Sequence, residues 1–197
     1  MKRRTALTAA LVNGCGSYSA FAEPTRTNLT ADEWISETLQ IRASESPLQL
    51  ARFREPIWVL LKPITWRPSN EHQKIVPPIT VPKNFVTDLA SIPRIFWSLV
   101  PRDGQYAYSA IVHDFLYWSQ HLPRDQADQV FKWSMEDLEV SPAEVAAIYT
   151  AVRSMGGDAW KSNASAKLRG ERRILKKPPP KATTRWADWK TNAEHFI

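Results

Sequence analysis

Cysteine is almost missing: Cys15 is the only one in 197 residues. No disulfide can therefore form within the chain, although exported domains often rely on such bridges. Glycine is scarce at 6 against 15 prolines, which argues for rigid turns and extended segments rather than flexible linkers. The chain has no G-x-S-x-G elbow, no phosphate loop and no H-E-x-x-H, so serine hydrolase, nucleotide hydrolase and zinc protease lose weight. Zinc fits poorly for a further reason: His72, His121, His195 and Cys15 lack ligand spacing. No internal repeat is visible.

Against these absences stand a hydrophobic fraction of 43% and nine tryptophans, enough for a real core. The length suits one ordinary domain plus tails. The net charge of +6 is uneven: Lys161 to Lys190 holds ten Lys or Arg against only Glu171 and Asp188. Such a run favours anionic surfaces, either phospholipid headgroups or nucleic acid, or else is a solvated disordered tail. No specific nucleic-acid partner is implied.

The first 22 residues read as a secretory signal: Lys2-Arg3-Arg4, a short apolar run from Thr5 to Val12, and Ala20-Phe21-Ala22 before Glu23. That run is too short to span a bilayer. Val12-Asn13-Gly14-Cys15 partly resembles a lipobox, so Cys15 is an alternative lipidation site. Either way the expected location is exported, periplasmic or secreted; an ordinary basic N-terminus is the bland alternative. The expected organisation is a signal at 1–22, an N-terminal extension at 23–50, a core α+β domain at 51–160 and a basic tail at 161–197.

Thr30 and Glu33 form a helix-start pattern in the extension. Ile57 to Trp66 reads as a strand interrupted by Pro63, and Ile75 to Val86 as one or two short strands on sheet edges, broken by Pro77, Pro78 and Pro82. Arg67 to Lys74 is a polar turn, and Pro93 to Leu99 a short helix. A helix is predicted over Gln105 to Gln120, with Tyr106, Ser109, Ala110, His113, Leu116 and Tyr117 on one face. A second spans Arg124 to Glu139, its apolar stripe running through Ala127, Val130, Phe131, Ser134, Met135 and Leu138. A third starts at Ser141-Pro142-Ala143-Glu144 and is expected to stop at Gly156-Gly157. The predicted fold is α+β: a small antiparallel sheet, then three packed helices, then a basic disordered tail.

The chemistry concentrates in two segments, Asp88-Leu89-Ala90-Ser91-Ile92-Pro93 and His113-Asp114-Phe115-Leu116-Tyr117. A neighbouring His and Asp in an apolar helix are costly without partners or a task. Asp128, at the edge of the next helix's stripe, supplies a further carboxylate. Together His113, Asp114, Asp128 and Asp88 make a base-and-metal constellation.

The run Val81 to Arg94, with Ala110 to Tyr117, Arg124-x-x-Ala127-Asp128-x-x-Phe131 and Tyr149-x-Ala151-Val152-Arg153, resembles the bacterial and phage family of domain-of-unknown-function 1353. The resemblance covers roughly Ile57 to Trp160 and implies no activity. A more distant similarity exists. His113-Asp114-Phe115-x-Tyr117 followed by Asp128-x-x-Phe131-x-x-x-Met135 looks like the two-helix core of secreted prokaryotic phospholipase A2 enzymes. That resemblance implies His113 as general base, Asp128 as its orienter and Asp114 as a calcium ligand. Asp88 and the Leu89 carbonyl would take the place of the calcium loop, and Tyr117, one turn from His113, would support the dyad by hydrogen bonding. Unlike that family, the loop from Thr87 to Pro93 has no Gly and no disulfide holds it.

The chemistry is coherent, since a His held by a carboxylate can activate water near neutral pH. The expected function is an exported, calcium-dependent hydrolase of lipid or ester bonds at an anionic membrane. A phage-derived structural or envelope-interaction module, with the dyad as a buried polar staple, and a cell-wall hydrolase remain open. Each residue also has a structural alternative: His113 as a core histidine, Asp114 as a local cap or partner of Arg94, Asp128 as the i,i+4 partner of Arg124, and Asp88 as a helix-capping turn with Ser91.

Overall fold

The computed structural model describes residues 48–69, 71–89 and 106–197. The expected signal, most of the expected N-terminal extension and the helix expected at Pro93 to Leu99 fall outside the described residues.

The prolines set strand length. Pro63 splits the branched run into β2 (Trp58–Leu60) and β3 (Ile64–Trp66), while β1 (Leu50–Arg52) precedes them. Farther on, β4 (Ile79–Val81) and β5 (Val86–Thr87) flank Pro82. Two antiparallel pieces result: a three-stranded sheet in the order β1-β2-β5, and a hairpin of β3 with β4 that pairs Ile64 with Val81 and Trp66 with Ile79. In β4 the exposed Thr80 alternates with buried Ile79 and Val81, the period-2 pattern of a sheet with one wet face.

The three expected helices are present as α1 (Tyr106–Ser119), α2 (Arg124–Asp137) and α3 (Pro142–Leu168). In α1 burial extends well beyond the predicted face, to Ala107, Tyr108, Ile111 and Val112 as well. It is the central helix of the domain, covered on several sides. The α2 stripe is buried as expected, from Ala127 to Met135. At its end Asp137 accepts a 2.9 Å hydrogen bond from the buried Trp66 indole, which ties β3 to the helices. Ser141 caps α3: its hydroxyl accepts from the Glu144 amide at 3.3 Å and donates to the Glu144 carboxylate at 2.6 Å.

Two expectations are corrected. First, α3 does not stop at Gly156-Gly157 but runs on to Leu168. Those glycines are not a cap. A Cβ at Gly156 would lie 2.3 Å from the Tyr117 hydroxyl, so this glycine exists to let α1 approach. The actual stop is Gly170, at φ +83°, where the Glu171 amide reaches back to the Ala166 carbonyl at 3.0 Å.

Second, the basic C-terminal segment is not a disordered tail. Arg173 and Leu175 run beside β5: the Val86 amide donates to the Arg173 carbonyl at 2.8 Å and the Leu175 amide to the Asn84 carbonyl at 3.0 Å. The chain then forms the short α4 (Trp186–Trp189) and a 3-10 turn at Ala193–His195, and returns so that Phe196 bridges Leu175. Leu175 and Phe196 join Phe53, Val59 and Val86 in a second small core, with Trp186 and Trp189 packed on it. The lysines stay outside while Leu175 and Phe196 are buried. Average charge therefore misread the segment.

Candidate functional site

The bend from Gln120 to Pro123 turns the chain back, and the contacts show α1 and α2 antiparallel: Tyr117 meets Asp128, whereas His113, one turn earlier, meets both Asp128 and Phe131. The imidazole Nε2 of His113 lies 3.1 Å from Asp128 Oδ1. The Tyr117 hydroxyl donates to the same oxygen at 2.6 Å. His113 and Tyr117 thus share one oxygen of Asp128, the hydrogen bonds that the helix pairing led us to expect.

Asp128 has further partners. Arg153 of α3 donates to Oδ2 at 3.0 Å, and Arg124, one turn before Asp128, stands 3.5 Å from that oxygen. The surface pair with Arg124 and the buried dyad therefore coexist. Asp128 is fully buried and His113 only 4% exposed, its ring stacked on Phe131 and tilted against Tyr117. Arg153 belonged to a recognised sequence run but carried no assigned role. Its reach to Asp128 becomes visible only once α3 packs on α2.

Burial opposes ionisation of Asp128, but the bonds from His113 and Tyr117, with Arg153, outweigh it and hold the carboxyl below its ordinary value. Burial also pulls His113 below the usual histidine value, against the opposing bond and charge of Asp128. The Tyr117 phenol is raised, by burial first and then by Asp128. At neutral pH the site accordingly holds a carboxylate, a neutral imidazole and a neutral phenol. An ionised Asp128 accepts the proton of Nε2–H, which leaves the lone pair of His113 on Nδ1.

The other two predicted carboxylates stand next to this cluster. Asp114 points away from His113 and accepts a 2.5 Å hydrogen bond from the Thr87 hydroxyl, which in turn accepts the Leu89 amide at 3.0 Å. Leu89 sits at φ +59°, a left-handed conformation unusual for a branched residue, with its side chain buried in the core. Asp114 and Asp88 both line an open pocket of about 170 Å³. Loss of water around Asp114, and then the charge of Asp88, raise its carboxyl well above the ordinary range; the Thr87 hydroxyl and Arg173 act the other way.

Tyr117 joins the two clusters: it is one of the residues lining the pocket, and its hydroxyl bonds to Asp128. The remaining pocket wall contains Trp118 of α1, Ser162 and Asn163 of α3, and Arg173. Sequence reasoning missed Ser162, Asn163 and Arg173 because they were assigned to the tail. Asn163 donates to the Tyr117 carbonyl at 3.3 Å, and the Arg173 guanidinium lies 5.1 Å from the Trp118 ring centroid.

Among the described residues no group of three or more His, Cys, Asp or Glu side chains is arranged to hold a metal ion. Nor is any helix among them long and apolar enough to cross a membrane. No curated protein and no solved structure matches the chain. One family model does match: DUF1353, described as a protein of unknown function, over residues 58–152 from β2 into α3, which supports the family resemblance carried by the motifs.

Proposed function

We propose that this chain hydrolyses lipid or ester bonds, with His113 as general base. The observation that carries the reading is the hydrogen bond from His113 to a buried, ionised Asp128, beside a polar pocket. A neutral imidazole with its Nε2 proton engaged keeps the Nδ1 lone pair, which would accept a proton from a water admitted to it, and Asp128 would stabilise the imidazolium that results. The Tyr117 hydroxyl holds the same carboxylate oxygen in place. Asp88 and Asp114 line the same pocket, and the charge of Asp88 makes Asp114 harder to ionise, a repulsion that a hard cation would relieve. Asp88, Asp114 and the Leu89 carbonyl would hold calcium, which would supply positive charge for the developing oxyanion. Export and an anionic membrane as the working surface belong to the same proposal, as does the distant likeness to phospholipase A2.

A second reading is favoured by one observation: Asp128 is surrounded by four donors, and His113 is sandwiched between rings. In that reading the cluster is a polar staple joining three helices of a non-catalytic module.

One set of measurements separates the two. Fatty-acid release from phospholipid vesicles with calcium should be measurable in wild type and fall by about 10²-fold or more in His113→Ala, assayed at a temperature where the variant is folded. The staple predicts no hydrolysis by wild type and a stability loss of about 1–3 kcal/mol in the variant. Calcium should raise the melting temperature of wild type, and Asp114→Asn should lose most of that rise. An undiminished response to calcium in the variant would reject this ligand set.

A further inference from the structure

Three stretches of chain converge on Asn84, which is buried and left-handed at φ 66°. Its amide donates to the Leu60 carbonyl of β2 at 2.7 Å, and its carbonyl accepts the Leu175 amide at 3.0 Å. Its side-chain amide donates to the Lys176 carbonyl at 3.2 Å. Lysines stand beside each contact: Lys62 beyond Leu60, Lys83 before Asn84, and Lys176 with Lys177 beyond Leu175. All four are exposed, and among the described residues none is in an ion pair. The two acids between Lys161 and Lys190 are already matched, Glu171 with Arg173 at 3.1 Å and Asp188 with Arg185 at 3.8 Å. Glu194, one residue before the His195 carbonyl that accepts the Lys176 amide, leaves the balance around Asn84 positive. Like charges gathered by the fold repel one another, and an anionic surface relieves that repulsion.

Two kinds of anionic surface differ in what else they require. Single-stranded nucleic acid is met by aromatic side chains that stack on bases, but Trp186 and Trp189 pack on the second core instead. What the C-terminal segment exposes is aliphatic. Leu168 is 89% exposed between Lys167 and Arg169, and the amide of the 71% exposed Ile197 bonds to the Ile174 carbonyl, two residues from Lys176. Cations interspersed with aliphatic side chains suit a surface that lies on lipid.

We infer that the lysines gathered around Asn84 form the face by which this protein adsorbs to an anionic phospholipid membrane. This deepens the proposed function, which supplies the membrane's role as substrate, but adsorption itself needs neither calcium nor turnover.

The test is sedimentation of the full chain with phosphatidylcholine vesicles, plain or carrying about one third phosphatidylglycerol, in chelator. Adsorption should be at least about tenfold tighter on the anionic vesicles at about 0.1 M salt and should be lost at about 1 M. Lys176→Gln with Lys177→Gln should weaken it about tenfold or more, since each lysine near such a surface is worth about fivefold. Arg67→Gln with Lys74→Gln removes the same charge from the turn between β3 and β4, and should weaken it by less than about threefold. Equal losses in the two pairs, or equal binding to plain vesicles, would overturn the inference. Duplex DNA bound as tightly as the anionic vesicles, and weakened by the same lysine pair, would overturn it in favour of a nucleic-acid face. His113→Ala should adsorb normally, because His113 is buried among the helices. Adsorption without hydrolysis would reject the hydrolase reading and leave the face standing, whereas hydrolysis of dispersed short-chain lipid without adsorption would reject the face alone.

Discussion

Gly156 and Gly157 are neighbours on one helix, yet they do opposite things. At Gly156 an added methyl meets the Tyr117 hydroxyl, and that hydroxyl cannot retreat without releasing Asp128. Gly156→Ala should therefore destabilise the protein by about 1–3 kcal/mol in urea unfolding, despite the gain in helix propensity. At Gly157 nothing described lies within 4 Å of the added carbon. Gly157→Ala should be neutral or stabilise by up to about 1 kcal/mol. Equal effects at both positions would refute the packing argument. Asp128 shows how much was legible at this scale. Its place at the edge of an apolar stripe marked it as unusual, and the i,i+4 rule predicted Arg124. The third helix's Arg153 has no local rule pointing to it.

The elements tell a similar story about distance along the chain. Strand breaks at Pro63 and Pro82, the Ser141 cap and the stripes of α1 and α2 follow from short-range patterns and are found where those patterns place them. Failure came at the C-terminal segment, where apolar residues are too widely spaced to show a period and become a core only by meeting Phe53 and Val86. Phe196 is 4% exposed there. Phe196→Ala should cost about 3 kcal/mol, read as a lower urea midpoint without a change of slope. A dispensable tail would show no shift.

Across the whole molecule the buried groups oppose one another in pH. His113 and Asp128 both have lowered values, so their contributions are present above the unfolded values, 6.5 and 3.8, and are lost as pH falls through the lower folded ones. Asp114 has the reverse sign. Its contribution is full below 3.8 and is lost as pH rises through its higher folded value. Thermal scans in chelator should show Asp114→Asn raising the melting temperature at pH 7 and leaving it nearly unchanged at pH 4. A uniform rise at both would mean the effect is not ionisation. The same division runs through the protein as a whole. Sequence alone determined the α+β class and the three helices, and it marked His113, Asp114 and Asp128 as polar groups in need of partners, because caps, prolines and periodic stripes act over a few residues and a polar group in an apolar stripe is conspicuous. Only the tertiary structure decided that α3 passes its glycines, that the basic segment closes the sheet, and that Arg153 and Arg173 reach the two carboxylate clusters. Those outcomes depend on which surfaces meet, and contacts between residues 25 to more than 100 positions apart leave no pattern in any local window.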